Sequence, residues 1–192
     1  MAGRPRIYNA DQALDKAIEV FWQKGYENAS SDDLLKAMGI GKGSFYLAYK
    51  GGKQELFQKS LDRVMDHHIK AFKDKIELSE HPLEEIRVFF YEMADPETNL
   101  GKYGCYFANA LIQVSDKDLK CSAEKQLRTL KDIFVKALEK EKMQGNLKTA
   151  VTPDLLGLHL LNLWSGLNVT RNTVNDKSEL KMLIEMNLRC IQ

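Results

Sequence analysis

The sequence predicts an all-α fold, a three-helix head followed by a larger helical body. Three observations carry that expectation. Apolar residues recur three and four apart along most of the 192 residues, while the strict apolar–polar alternation of a half-buried strand is nearly absent. Proline stands only at positions 5, 82, 96 and 153, so long stretches lack the residue that breaks helices. Between Ser30 and Phe57 two short helical patterns meet at Gly39, the layout of a helix-turn-helix.

The first helix is expected from Asp11 to Lys24, with Leu14, Ala17, Ile18 and Phe21 on one face and Gly25 placed for a left-handed C-cap. A bare helix pair buries no core, and this helix supplies the missing wall. Ser30 followed by Asp33 reads as a capping box for the second helix. Leu34, Leu35 and Met38 line its inner face, Gly39 turns the chain, Ile40 plugs the turn, and Phe45 and Ala48 return to the same core. Lys42, Ser44, Tyr46 and Leu47 then point outward from the third helix, a face short enough to enter a major groove. Its first turn, Gly41 to Gly43, aims backbone N–H groups at a phosphate. Tyr46 either meets a base edge or phosphate, or packs within the head.

A long helix follows, carrying Leu56, Ser60, Leu61, Val64, Met65, His68, Ile69 and Phe72 at helical spacing. Pro82 opens the next, with Leu83, Ile86, Phe89, Phe90 and Met93 inward and Asp95-Pro96 at its end. Residues Asp95 to Gly104 read as a polar loop and Cys105 to Val114 as an apolar helix. Asp118 to Gln144 is a longer amphipathic helix, closed by Gly145. From Leu155 to Val169, behind Pro153, the chain is apolar almost all round, the mark of a helix covered on two sides. Ser178 to Ile191, with Leu180, Leu183, Ile184 and Leu188, closes the series.

The net charge of +1 is small, and residues 1–60 hold nine basic side chains against seven acids. So slight a bias gives no bulk affinity for nucleic acid, and binding must rest on a few placed cations: Arg4, Arg6, Lys42, Lys50 and Lys53. Gly3-Arg4-Pro5-Arg6 suits an arm in the minor groove or a disordered terminus. Cys105, Cys121 and Cys190 are odd in number and widely spaced, which fits small buried residues in a reducing compartment. Neither a run of about 18 apolar residues nor a leader pattern stands out, so no membrane partner is expected and the expected location is cytoplasmic.

Catalysis finds little support. Gly39-Ile40-Gly41-Lys42-Gly43-Ser44 fails as a phosphate loop, because Lys36 and Gly43 stand where a Walker A needs Gly and Ser or Thr. His67, His68, His81 and His159 form no His-x-x-x-His or Glu-x-x-His pair, and no Gly-x-Ser-x-Gly occurs. The expectation is no enzyme, no metal and no cofactor.

Phe21-Trp22-x-x-Gly25-Tyr26-Glu27, Met38-Gly39-Ile40-x-Lys42-Gly43-Ser44-Phe45-Tyr46 and Lys53-x-x-Leu56-Phe57 together resemble the N-terminal domain of the TetR/AcrR family of transcriptional regulators. The resemblance is specific over residues 11 to 60 and architectural beyond. It implies a helix-turn-helix DNA-binding domain over residues 1–52 and a helical ligand-binding and dimerisation domain over 53–192. The implied function is a ligand-responsive repressor that binds palindromic double-stranded DNA as a homodimer, with a small-molecule effector of unknown identity. DNA contacts are then expected from Arg4, Arg6, Lys42, Gly43, Ser44, Tyr46, Leu47, Lys50 and Lys53. Three departures stand out: Gly41 replaces the usual Ser or Thr cap, Leu47 and Ala48 replace polar or aromatic residues, and the turn before Lys53 is one residue longer. They leave open a second reading, a helical ligand-binding or scaffold protein that no longer reads DNA.

Phe89, Phe90, Met93, Tyr103, Tyr106, Asn109, Phe134 and Trp164 are core by residue type, and the resemblance makes them candidate walls of a ligand cavity. Leu160, Leu163 and Leu167, with Leu183, Ile184 and Leu188 of the last helix, are the expected dimer interface, and Gly157, Ser165 and Gly166 are small enough to admit a second helix.

Overall fold

The structure is a computed structural model describing residues 8–174 and 176–191, and no strand occurs among them. Arg4 and Arg6 lie outside the described residues. The head comprises α1 (Ala10–Asn28), α2 (Ser31–Met38) and α3 (Lys42–Ala48). Asn9 caps α1 by accepting from the Asp11 and Gln12 N–H groups. Within α1, Gly25 breaks the helix at φ 74° and ψ 167°, a positive-φ conformation but not the left-handed C-cap expected there, and helix assignment resumes for one turn beyond it. A Cβ there would lie 2.3 Å from Gln113 Oε1, so glycine serves both the backbone and the packing.

The Ser30–Asp33 capping box is formed in both directions, and Gly39 ends α2 in the left-handed conformation. Hydrogen bonds from Lys24 and Ser30 hold the Asp33 carboxyl down to about 2. Ala17, Phe21, Leu34, Met38 and Phe45 close the head's core. Leu35 and Ala48 pack on it only partly buried.

The long helix runs as α4 (Gly52–Val64), a π turn (Met65–Ile69) and α5 (Lys70–Leu78). The Lys70 N–H donates to the Met65 carbonyl, five residues back. The apolar sequence explains the extra residue. Val64 and Ile69 are both buried although five apart, and Phe72 and Ile76 continue from Ile69 at ordinary helical spacing. A wider turn therefore keeps one continuous stripe on the core. Met65 and His68, expected inward, fall off that stripe.

The body adds α6 (Pro82–Glu92), α7 (Asn99–Tyr103), α8 (Tyr106–Gln113), α9 (Lys117–Met143), α10 (Pro153–Thr170) and α11 (Lys177–Leu188). The short α7 sits inside the segment expected to be loop, started by Thr98, whose hydroxyl accepts from the Gly101 N–H. Asp116 caps the central α9, which packs against α4, α5, α6, α8 and α10. Its far end is locked by two polar side chains. Buried Glu141 accepts from the Leu83 N–H at the start of α6, and Lys140 donates to the Ser79 carbonyl at 2.7 Å. The head docks through α1 onto α4 and α8. Of the cysteines only Cys105 is buried; Cys121 and Cys190 are exposed, because each falls off its helix's apolar face.

The expected dimer residues need correction. Leu160, Leu167, Ile184 and Leu188 are at most 1% exposed and Leu163 is 8% exposed, so they belong to this chain's own core, and Leu183 is half-buried. Gly157 likewise faces inward, where a Cβ would stand 2.5 Å from Val135 on α9. The outer stripe of α10 instead presents Leu155, Leu158, Asn162, Ser165, Gly166 and Val169, and Met182 and Met186 of α11 are likewise exposed. Leucines occupied both sides of the helix, so composition did not tell the inner side from the outer.

Candidate nucleic-acid interface and cavity

The outward face of α3 is built by one buried ring. Phe45 is 4% exposed and pins the helix to the head, which leaves Lys42, Gly43, Ser44, Tyr46 and Leu47 in solvent. Tyr46 meets Phe45 edge to face at 5.2 Å yet remains 49% exposed, and Leu47 is 79% exposed. Gly41 offers no side-chain cap to α3. Lys42 and Lys50 are exposed and enter no ion pair among the described residues. The structure therefore brings Lys42, Gly43, Ser44, Tyr46, Leu47 and Lys50 to one end of the head.

Lys53 is differently placed. Its ammonium lies 3.3 Å from the Glu27 carbonyl and 4.6 Å over the Tyr26 ring, stapling the start of α4 to the end of α1. The same joint carries a second clamp on its other side. Arg63 of α4 donates from Nε and Nη2 to Asp15 at 2.5 and 2.9 Å and from Nη1 to Asp11 at 3.2 Å. Its guanidinium keeps the Asp15 carboxyl below the usual carboxylate range.

Between head and body runs a buried chain of polar contacts. The Trp22 indole N–H of α1 donates to the Gly104 carbonyl at 2.8 Å. Next along the chain, the Cys105 N–H donates to Asn168 Oδ1 of α10 at 2.7 Å. Asn168 Nδ2 donates to Asn109 Oδ1, and Asn109 Nδ2 donates to the Tyr103 carbonyl. Gly104 has φ 76°, and a Cβ on it would lie 2.0 Å from Asn168 Oδ1. Tyr106 shares a 2.7 Å hydrogen bond with Ser60 of α4; burial drives its phenol far above the usual range.

Beside this chain lies a cavity of about 210 Å³ enclosed by α1, the π turn, α5, α6, α8 and α10. Of the expected wall residues, Phe89, Tyr106 and Trp164 line it. Phe90, Met93 and Phe134 do not, and are buried in the core. Asn109 is spent on the Asn168 network, which Tyr103 joins only through its backbone carbonyl, and neither lines the cavity. Sequence reasoning missed Trp22, His67, His68, Lys75, Glu85, Glu92 and Cys105 on the wall. The step from Val64 to Ile69 was the available signal for the two histidines. Burial lowers the proton affinity of His68 and, by the same desolvation, raises that of Glu92 and Cys105.

Comparison with known proteins agrees with this arrangement. The family model for bacterial regulatory proteins of the tetR family matches residues 13–59. The uncharacterized HTH-type transcriptional regulator YezE of Bacillus subtilis (strain 168) is 33% identical over 151 residues, 76% of either chain. The HTH-type transcriptional repressor ComR of Escherichia coli (strain K12) is 32% identical over 115 residues, 59% of this chain and 54% of ComR. Among solved structures, the TetR family regulator CifR, as a cysteine mutant complexed with 26-base-pair operator DNA, superposes with a TM-score of 0.85 at 23% identity, covering 98% of this chain and 100% of its own.

Proposed function

The chain belongs to the TetR family of transcriptional regulators, and from that premise we propose that it is a repressor whose α3 reads a palindromic operator, with release governed by a small effector. The observation that carries the reading is the rigid presentation of Lys42, Ser44, Tyr46 and Leu47 on a helix anchored by Phe45. Residues 1–52 are assigned to DNA binding and 53–192 to regulation and dimerisation. Lys42 and Lys50 supply phosphate contacts, and the apolar Leu47 suits a thymine methyl better than a hydrogen-bonding base edge. Lys53 acts there with its charge already shared with the head's own backbone.

The exposed Leu155, Leu158 and Val169 of α10 and Met182 and Met186 of α11 support a homodimer, since several large apolar side chains left in solvent mark an interface. In such a dimer the two α3 helices serve half-sites about 34–36 Å apart. An effector acts only by preferring a conformer whose heads are wrongly spaced. The cavity fits that role because its wall includes Trp22, a residue of the head itself.

Selection of bound duplexes from a random pool tests the reading, and an enriched inverted repeat is the expected result. On that site Tyr46→Ala should cost about 1–3 kcal/mol with an unchanged melting temperature. Lys42→Ala should weaken all sequences alike and reduce the salt slope by about 0.9. A pool that yields no enriched sequence would favour the helical binding protein that no longer reads DNA.

A further inference from the structure

The cavity wall has two unlike parts. One is aromatic: Phe72, Phe89 and Trp164 lie face to face, with centroids 4.1 and 4.4 Å apart and interplanar angles of 18° and 17°. Trp22 meets Tyr106 edge to face at 5.2 Å on the same wall. The other part is charged, with Glu85 and Glu92 of α6 and Lys75 of α5. Among the described residues none of these three side chains makes a hydrogen bond or a close ion pair, although Lys75 lies near enough to Glu92 to offset part of the effect of its burial. Glu92 is half-buried, whereas Lys75 is exposed. His67 and His68 of the π turn complete the polar lining, and desolvation with the neighbouring His67 lowers the proton affinity of His68.

A neutral occupant would cover the Glu92 carboxylate without giving it a donor, which is costly, and an anion would add repulsion. A cation supplies the missing partner, and aromatic faces attract it as well. We propose that this cavity takes a planar aromatic molecule bearing one positive charge, its rings among Trp22, Phe89, Tyr106 and Trp164 and its charge beside Glu92. The proposal rests on the reading of the cavity as the effector site.

Three matched probes test it by isothermal titration calorimetry on the full-length protein: 1-methylquinolinium, the uncharged 1-methylnaphthalene and the anionic 1-naphthoate. Quenching of intrinsic fluorescence is a second readout, because both tryptophans of the chain stand on the wall. The cation should bind about tenfold tighter than the neutral compound, the scale of a desolvated cation–π and ion-pair contact. Naphthoate should be weakest. Glu92→Gln should bring cation and neutral compound within about threefold of each other, by weakening the cation while the neutral compound binds no worse than before. The order of the probes on the unaltered protein is decisive even where that variant folds poorly. If the neutral compound binds as well as the cation, if naphthoate binds tightest, or if a folded Glu92→Gln keeps the tenfold preference, the charge assignment is overturned and the effector reading stands. If none of the three saturates, the cavity does not take aromatic bicycles and the proposal is overturned, while the effector reading is left to an operator-release experiment.

Discussion

Trp22 is the side chain on which head and body meet. Its ring closes the cavity, its edge meets Tyr106, and its N–H reaches the Gly104 carbonyl beside the Asn168 network. Trp22→Phe keeps an aromatic ring and removes the donor, leaving a buried carbonyl unpaired. The expected loss is about 1–3 kcal/mol in urea unfolding. A loss below about 0.3 kcal/mol would mean that the indole N–H adds nothing to the joint. Sequence reading recognised Trp22 within a motif but not its contact, because the partner lies 82 residues away on a backbone atom that carries no signature. Lys53 shows the same limit. Its position was legible, but its engagement with Tyr26 and the Glu27 carbonyl depends on how α1 ends after Gly25.

At the scale of single elements, local chemistry was the more readable. The Ser30–Asp33 box, the turn at Gly39 and the prolines opening α6 and α10 all lie where short-range rules put them. The π turn escaped, since Met65 and His68 also fit a regular helical stripe and only the buried pair Val64 and Ile69 reveals the slip. That slip is testable by deletion. Removing exposed Asp66 should convert the wide turn to α-helix while keeping Ile69, Phe72 and Ile76 on the core, at a cost of no more than about 1–2 kcal/mol. Removing Lys59 instead should rotate Ser60, Leu61 and Val64 off the core before the wide turn can absorb the slip, and should cost several kcal/mol more, about 3 or above. Equal melting temperatures for the two deletions would contradict this account of the turn. The aromatic cavity residues split for a related reason. Phe89 and Phe90 are neighbours in sequence, and only the rotation of α6 decides which of them faces space and which faces core.

For the whole molecule, the decisive surface is the outer side of α10 and α11. Leu158 is 52% exposed and Leu163 is 8% exposed, although both sit on the same apolar helix. Leu158→Glu should therefore give a folded monomer with weakened operator binding, visible by sedimentation at unchanged helicity. Leu163→Glu should unfold the chain, since a charge buried without a partner costs more than about 4 kcal/mol. A dimeric Leu158→Glu would move the interface elsewhere. Apart from the short α7, the helices were legible from spacing alone, whereas the inner and outer sides of α10 were not, because leucine is placed on both.

That two-sided helix ties the subunits together in a further respect. Trp164 looks from α10 into the cavity while Leu158 and Val169 look outward to the proposed partner, so the cavities of a dimer stand back to back across two such helices. An effector that displaces Trp164 displaces the helix on which the neighbouring subunit leans, so occupancy of the two sites is expected to be coupled, read as a departure from a simple hyperbola before any DNA is added. Cooperativity of that origin is lost in the monomeric variant even though each cavity remains complete.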